Sequence, residues 1–200
     1  MEIYDEHGDR VDTEVWENRE QIHANGFVEP NDVVLELGAR YGSVSVVINR
    51  KLNNPLHHVA VDPDDRIWDC LERNREVNGC TFHILKGVIS RNPVALAELD
   101  DCKGYGTTSV PTTEPTTVKS YTLEEVQEMY GLKFTTLVAD CEGFLGQFFD
   151  ENPWMYDQLN TVLYEVDYPE KCDYDRIANT LLAHGLTNLW YGSHMVWKRL

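Results

Sequence analysis

A short apolar run that empties into a glycine-framed turn, Asp32-Val-Val-Leu-Glu-Leu-Gly-Ala-Arg-Tyr-Gly-Ser43, restricts the folds open to this chain more than any other stretch. Val33, Val34, Leu35 and Leu37 follow one another without a polar face, so they read as a strand covered on both sides, as inside a parallel sheet. Gly38 and Gly42 tolerate positive φ and let bare backbone approach a ligand. Val44, Val47, Ile48 and Leu52 then recur at helical spacing, which turns the amides of a helix N-terminus towards whatever lies over the turn.

The alternation continues down the chain. Residues 58–61 form a second apolar run closed by Asp62-Pro63-Asp64, and a helix over 65–77 follows, with Ile67, Trp68 and Leu71 inward and Asn78-Gly79 as its stop. Residues 81–85 are a third strand, with an exit loop over 86–90. Ahead of the first strand, residues 13–25 read as a helix capping the sheet with Val15, Trp16 and Ile22. Residues 91–120 lose all periodicity and read as an irregular, lid-like insertion. Thr122-Leu-Glu-Glu125 is a capping box opening a helix to Tyr130. Residues 135–139 give a fourth strand, 144–149 a helix broken by Asn152-Pro153, and 161–166 a fifth strand. Tyr174, Ile177, Ala178, Leu181 and Leu182 mark an amphipathic helix. Residues 188–191 and 194–198 form an antiparallel hairpin about Gly192-Ser193. The expectation is a single α/β domain over residues 1–200, with 1–30 as an N-terminal cap region, helices on both faces of a mostly parallel sheet, and a C-terminal hairpin.

Charge narrows the function. Thirty-four acidic residues against 17 Lys and Arg give a net charge of −17, and no dense basic cluster offsets it. Such a surface repels phosphate backbones and anionic lipid, so neither nucleic acid nor a membrane is expected as partner. The five cysteines are odd in number and lack C-x-x-C spacing, which argues for free thiols in a reducing compartment. The charged N-terminus has no apolar leader core, and nowhere do about eighteen apolar residues run together. A cytoplasmic protein without membrane insertion is the expectation.

In open α/β sheets ligands bind beyond the carboxyl ends of the strands, and acids collect there: Glu36, Asp62, Asp140 with Glu142, and Glu165 with Asp167. An acid at the end of the second strand, about twenty residues past a glycine turn, suits the paired hydroxyls of a ribose. Gly38-x-x-x-Gly42 is not the pyrophosphate fingerprint, and Arg40 is the sole basic residue in the turn. A nucleoside without pyrophosphate is therefore favoured over a dinucleotide. Acids also suit a cation, since opposite charges about 4 Å apart attract by roughly 4 kcal/mol at an effective dielectric near 20. S-adenosylmethionine joins a ribose to a sulfonium.

Glu36-Leu-Gly-Ala-Arg-Tyr-Gly-Ser43 resembles motif I of the FkbM-type S-adenosylmethionine-dependent methyltransferases. The likeness continues through Asp62-Pro63, Tyr121-Thr-Leu-Glu-Glu125, Asp140-Cys-Glu-Gly143, Leu163-Tyr-Glu165 and Ala183-His-Gly185, and covers most of residues 30–190. Arg40 stands where the family usually has Asn, and Glu36 where Asp is commoner. The resemblance implies a Rossmann-like class I fold with a seven-stranded sheet and O-methylation, often of a sugar hydroxyl. A further likeness is to domains that decorate rhamnose and other deoxysugars in viral or bacterial glycans. A small-molecule or glycan sugar acceptor follows, with a place beside or fused to glycosyltransferase domains. Cofactor contacts are expected at Glu36, Gly38, Ala39, Arg40, Tyr41, Gly42, Ser43, Asp62, Pro63 and Val88.

An alcohol must lose its proton as the methyl bond forms, so one positioned base can suffice. Asp140 is the candidate base, and Glu142 either orients the substrate or caps the next helix. Tyr105, Thr107 and Ser109 of the loop over 104–109, with Glu165 and Asp167, are candidates for the acceptor side. No metal site is assigned, although Asp140, Glu142 and Asp167 offer the oxygens that Mg2+ prefers in a metal-assisted alternative. Trp154, Tyr156, Tyr168 and Trp190 are either core or a sugar platform. His83 and His194, on apolar strands, read as packed residues, with a histidine base as the alternative to Asp140. A nicotinamide-dependent oxidoreductase would share the sheet and Asp62, and a catalytically idle binding module would share the first turn.

Overall fold

The computed structural model describes residues 1–98 and 107–200. The first half of the chain runs α1 (Asn18–Phe27), β1 (Val34–Leu37), α2 (Ser43–Lys51), β2 (His58–Asp62), α3 (Trp68–Val77) and β3 (His83–Lys86). Four short strands follow: β4 (Val88–Ile89), β5 (Val94–Glu98), β6 (Thr107–Pro111) and β7 (Ser120–Tyr121). The chain then continues through α4 (Leu123–Tyr130), β8 (Thr136–Ala139), α5 (Leu145–Glu151), α6 (Met155–Gln158) and β9 (Thr161–Glu165). It ends with α7 (Tyr174–Ala183), β10 (Thr187–Trp190) and β11 (His194–Lys198).

Seven strands make one sheet in the order β10-β11-β9-β8-β1-β2-β3. All its neighbours are parallel except β11, which runs antiparallel to both β9 and β10. Strand order reverses at β1: the chain builds outward through β2 and β3, then restarts on the other side with β8. The reversal leaves a crevice beyond the ends of β1 and β8, where such sheets take their ligands.

β1 is buried at every residue, as its unbroken apolar run requires. Leu35 and Leu37 share a core with Phe148 of α5 and Leu181 of α7, whereas Val34 packs on the opposite face with Ala24 of α1 and Ile48 of α2. Burying one such side chain contributes about 1.5–3 kcal/mol, so each helix is held by its inward stripe. The Thr122 hydroxyl accepts from the Glu125 amide while the Glu125 carboxylate accepts from the Thr122 amide, which completes the capping box on α4.

Two expectations are corrected. The N-terminal helix starts at Asn18, and Val15, Trp16 and Ile22 are exposed; His23 and Ala24 form its buried side instead. α1 packs against α2, β9 and β11, and the Gln21 side-chain amide donates to the Thr13 and Trp16 carbonyls in the segment before it. The 91–120 region is not irregular throughout, because β5 and β6 form an antiparallel pair. Val94 anchors that pair against Val88 and Phe144, and its threonine-rich second strand is what hides the pattern in the sequence. Tyr105 lies outside the described residues. Leu182 of α7 is also exposed, although Ile177 and Leu181 point inward as expected. Among the described residues no helix is long and apolar enough to cross a membrane.

Candidate active site

Gly38 leaves β1 and Asp140 leaves β8 side by side, joined by the bond from the Asp140 amide to the Leu37 carbonyl at 3.0 Å. Gly38 has φ +82°, and a Cβ there would stand 1.6 Å from the Asp140 carbonyl oxygen. Only glycine lets the two strand exits touch. From β2, Asp62 clamps the turn: its Oδ2 accepts from the Arg40 amide at 2.8 Å and its Oδ1 from the Asp64 amide at 2.9 Å. Each oxygen keeps a lone pair for a further donor. Arg40 is held at φ +41°, a region that costs a non-glycine residue energy and clusters at functional sites.

Two compartments meet over these exits. Gly38, Arg40, Asp62, Pro63 and Val88 line the first, together with Thr107, Ser109, Asp140 and Glu142. The β6 candidates therefore face the Asp62 side, and the Thr108 hydroxyl ties β6 to the Glu142 carbonyl at 2.7 Å. Glu36, Ala39 and Glu165 line the second compartment. Leu37, Gly38, Asp140 and Glu17 border both.

The remaining candidates stand further back. Tyr41, Gly42 and Ser43 line neither compartment: the Tyr41 ring is buried and its hydroxyl donates to Glu6, Gly42 presses on Leu71, and Ser43 donates to Glu17. Glu36 is buried under α2, where its Oε2 takes the Ser45 hydroxyl at 2.6 Å and the His58 ring at 2.9 Å. Asp167 accepts from the Tyr174 hydroxyl and the Tyr168 amide, and it presents an oxygen within 4.8 Å of those of Asp140 and Glu142. Of the aromatic candidates, Tyr156 is buried against Phe149, while Trp190 is exposed. His83 packs on Tyr130, as a packed residue should.

Burial and crowding raise the pKa of several of these acids. Burial pushes Glu17 up to about 7 against the opposing Ser43 bond, with Glu20 and Glu36 adding repulsion. Burial likewise raises Asp62 to about 6, although two backbone amides and Arg40 oppose it. Asp140 rises well above the carboxylate range, first through burial and then through Glu165 and Glu142. Its Oδ1 is buried and makes no hydrogen bond among the described residues.

Glu17 and Glu20 reach this site without having been expected in it, and His194, read as a packed residue with a histidine base as the alternative to Asp140, joins them. The antiparallel register sets His194, the first residue of β11, opposite Glu165, the last of β9. Its Nε2 lies 2.5 Å from Glu20 and 3.6 Å from Glu165. Burial opposes charge on the imidazole, but the two carboxylates outweigh it and raise its pKa. Glu165 in turn borders the second compartment with Asp140, and the two carboxylates interact electrostatically. A chain of proton-holding groups thus runs from Asp140 through Glu165 to His194 and Glu20.

No family model matches the sequence, and no curated protein does. Solved structures do. The chain is similar to a protein in the NADB-Rossmann superfamily from Streptococcus agalactiae, with 9% identity, 90% of this chain and 68% of that one covered, and a TM-score of 0.55. It is similar to an rRNA methylase from Streptococcus thermophilus, with 8% identity, 91% and 95% covered, and a TM-score of 0.54. Ribosomal protein L11 methylase from Lactobacillus delbrueckii subsp. bulgaricus aligns with 15% identity, 91% and 78% covered, and a TM-score of 0.51. At such identities the likeness is one of architecture, and the chain has the Rossmann-like fold that these structures, two of them methylases, share.

Proposed function

We propose that the chain transfers a methyl group from S-adenosylmethionine to a sugar hydroxyl, either of a small molecule or of a glycan. The observation that carries this reading is the position of Asp140, a half-buried carboxylate whose Oδ1 is buried and unpartnered among the described residues, on the border of both compartments. The residues present fit the cofactor: Asp62 has lone pairs to spare, Gly38 leaves its backbone bare, and acids outnumber the single arginine on the first wall. When bound, the cofactor supplies an electrophilic methyl group on a positively charged sulfur.

In this reading Asp62 receives the ribose hydroxyls, and Pro63 and Val88 give the base an apolar bed. Asp140 takes the proton from the acceptor hydroxyl as the new bond forms. Glu165 shares that proton, and the His194–Glu20 pair stabilises the arrangement electrostatically. The FkbM-like series of motifs supports O-methylation. RNA fits poorly, although a neighbour of similar fold is an rRNA methylase, because the net charge of −17 opposes a polyanion.

Removing two charge-assisted hydrogen bonds at about 1.5–3 kcal/mol each makes Asp62→Ala the direct test of the donor site. S-adenosylmethionine affinity, measured by calorimetry, should fall at least tenfold. An unchanged affinity rejects the assignment of Asp62.

The same acids make binding depend on pH. With Glu17 titrating near 7 and Asp62 near 6, lowering the pH from 8 to 5.5 protonates both and removes attraction for a cation. Affinity should drop about tenfold over that window by linkage. At pH 7 the heat of binding should vary with buffer, because the cation expels protons. Heats identical in phosphate and Tris would contradict this.

A metal-assisted form of the same transfer is the second reading, favoured by the Asp140, Glu142 and Asp167 oxygens gathered within 4.8 Å. Activity that survives a chelator removes it.

A further inference from the structure

A groove beside α1 shares His23 and His194 with the second compartment, and it is built unlike either compartment. We propose that it is the acceptor's entry subsite and that it holds a neutral pyranose ring, stacked on Trp190 and Tyr191. The inference rests on the methyl-transfer reading for its purpose, but the binding it describes is measurable without turnover.

Trp190 and Tyr191, at the turn between β10 and β11, are 52% and 82% exposed, and Ile22 across the groove is 59% exposed. Large apolar groups scattered singly need no explanation, whereas a cluster rimmed by polar residues marks a binding surface. Polar groups do rim this one: Arg19 donates to the Ser193 hydroxyl at 3.3 Å beside the aromatic pair.

The groove is continuous with the chemistry. His23 and His194 line both the groove and the second compartment, whose far wall includes Asp140. The rings step inward, with Trp190 to His23 at 5.2 Å and His23 to His194 at 5.6 Å between centroids. A ring lying on Trp190 therefore stands two imidazoles away from the compartment that Asp140 borders.

Charge selects the occupant. The inner compartment presents Glu17, Glu20, Asp140 and Glu165, so a phosphate or carboxylate on the acceptor would be repelled. At the entrance stand the Arg19 guanidinium and His194, whose imidazole Glu20 and Glu165 draw towards its charged form, so an incoming ammonium meets cationic groups first. What remains is an uncharged ring with an apolar C–H face for the aromatics and hydroxyls that donate to carboxylates.

The full-length protein, with S-adenosylhomocysteine present, is to be titrated with methyl glycosides of rhamnose, fucose, glucose and galactose. Glucose 6-phosphate and ethanolamine serve as controls, and binding is read by calorimetry. At least one neutral glycoside should bind. Trp190→Ala and Tyr191→Ala, two surface changes that leave the inner compartments intact, should each weaken it tenfold or more while S-adenosylhomocysteine affinity stays within twofold. Equal sugar binding by wild type and both variants overturns the proposal. So does binding of glucose 6-phosphate or ethanolamine alone, or of no glycoside at all. If the sugar binds in a Trp190-dependent way but S-adenosylhomocysteine does not bind, the methyl-transfer reading fails and the sugar subsite stands.

Discussion

Gly38→Ala should cost roughly 3–5 kcal/mol of folding stability, a large share of the 5–15 kcal/mol typical of a domain. Two effects add. A left-handed backbone at φ +82° costs an alanine about 1–2 kcal/mol. The new methyl would also sit 1.6 Å from the Asp140 carbonyl oxygen, and because that neighbour is backbone, β8 or β1 must shift. Overpacking of this kind adds about 1–3 kcal/mol or more. Gly79→Ala is the matched control: it has φ +66° and nothing within 4 Å of the added carbon, so only the conformational cost applies. Urea denaturation should separate the two variants by about 1–3 kcal/mol or more. Equal losses would mean that the contact between the strand exits carries no energy.

Asp140→Asn should lower methyl transfer by about 10²–10⁴-fold, the usual contribution of a positioned base, with S-adenosylmethionine affinity within threefold of wild type. Loss of fold is excluded by the sign of a second measurement. A buried acid with a raised pKa binds its proton more tightly in the folded state. Its contribution to stability is therefore lost as pH rises from the ordinary carboxylate range through the folded pKa. Asparagine carries no such charge, so at pH 8 the variant should melt higher than wild type, and the gap should close on acidification. A variant that is dead and less stable at pH 8 would contradict the placement of this carboxylate. Full turnover would transfer the role of base to His194.

The parts of this molecule written in local chemistry were legible in its sequence. The strand that ends at Leu37, the acid at position 62, the capping box at Thr122 and the closing hairpin all announce themselves within a dozen residues. Their reasons are local as well: a turn needs glycine, a helix start needs a cap, and a buried strand needs an apolar run. The acceptor side was less legible. His194 looks like a packed strand residue until the register of β11 sets it beside Glu165, and Glu20 joins them from the other end of the chain. No spacing rule connects positions 20, 165 and 194. Glu17 was hidden for the same reason, and the exposed face of α1 misled because Ile22 borders a groove instead of a core. The β5–β6 pair escaped notice because threonines alternate poorly with anything.

The reversed direction of β11 has a consequence for how such a molecule can change. In β1, β2, β8 and β9, the residues at the mouth are the last ones before a connection to a helix, so altering them disturbs that helix as well. β11 delivers its opening residue there, straight from the surface connection over 191–193, which ends no helix. Lengthening or rewriting residues 190–193 would therefore retune what the mouth admits and leave the donor half untouched, which gives descendants of this chain a cheap route to new acceptors.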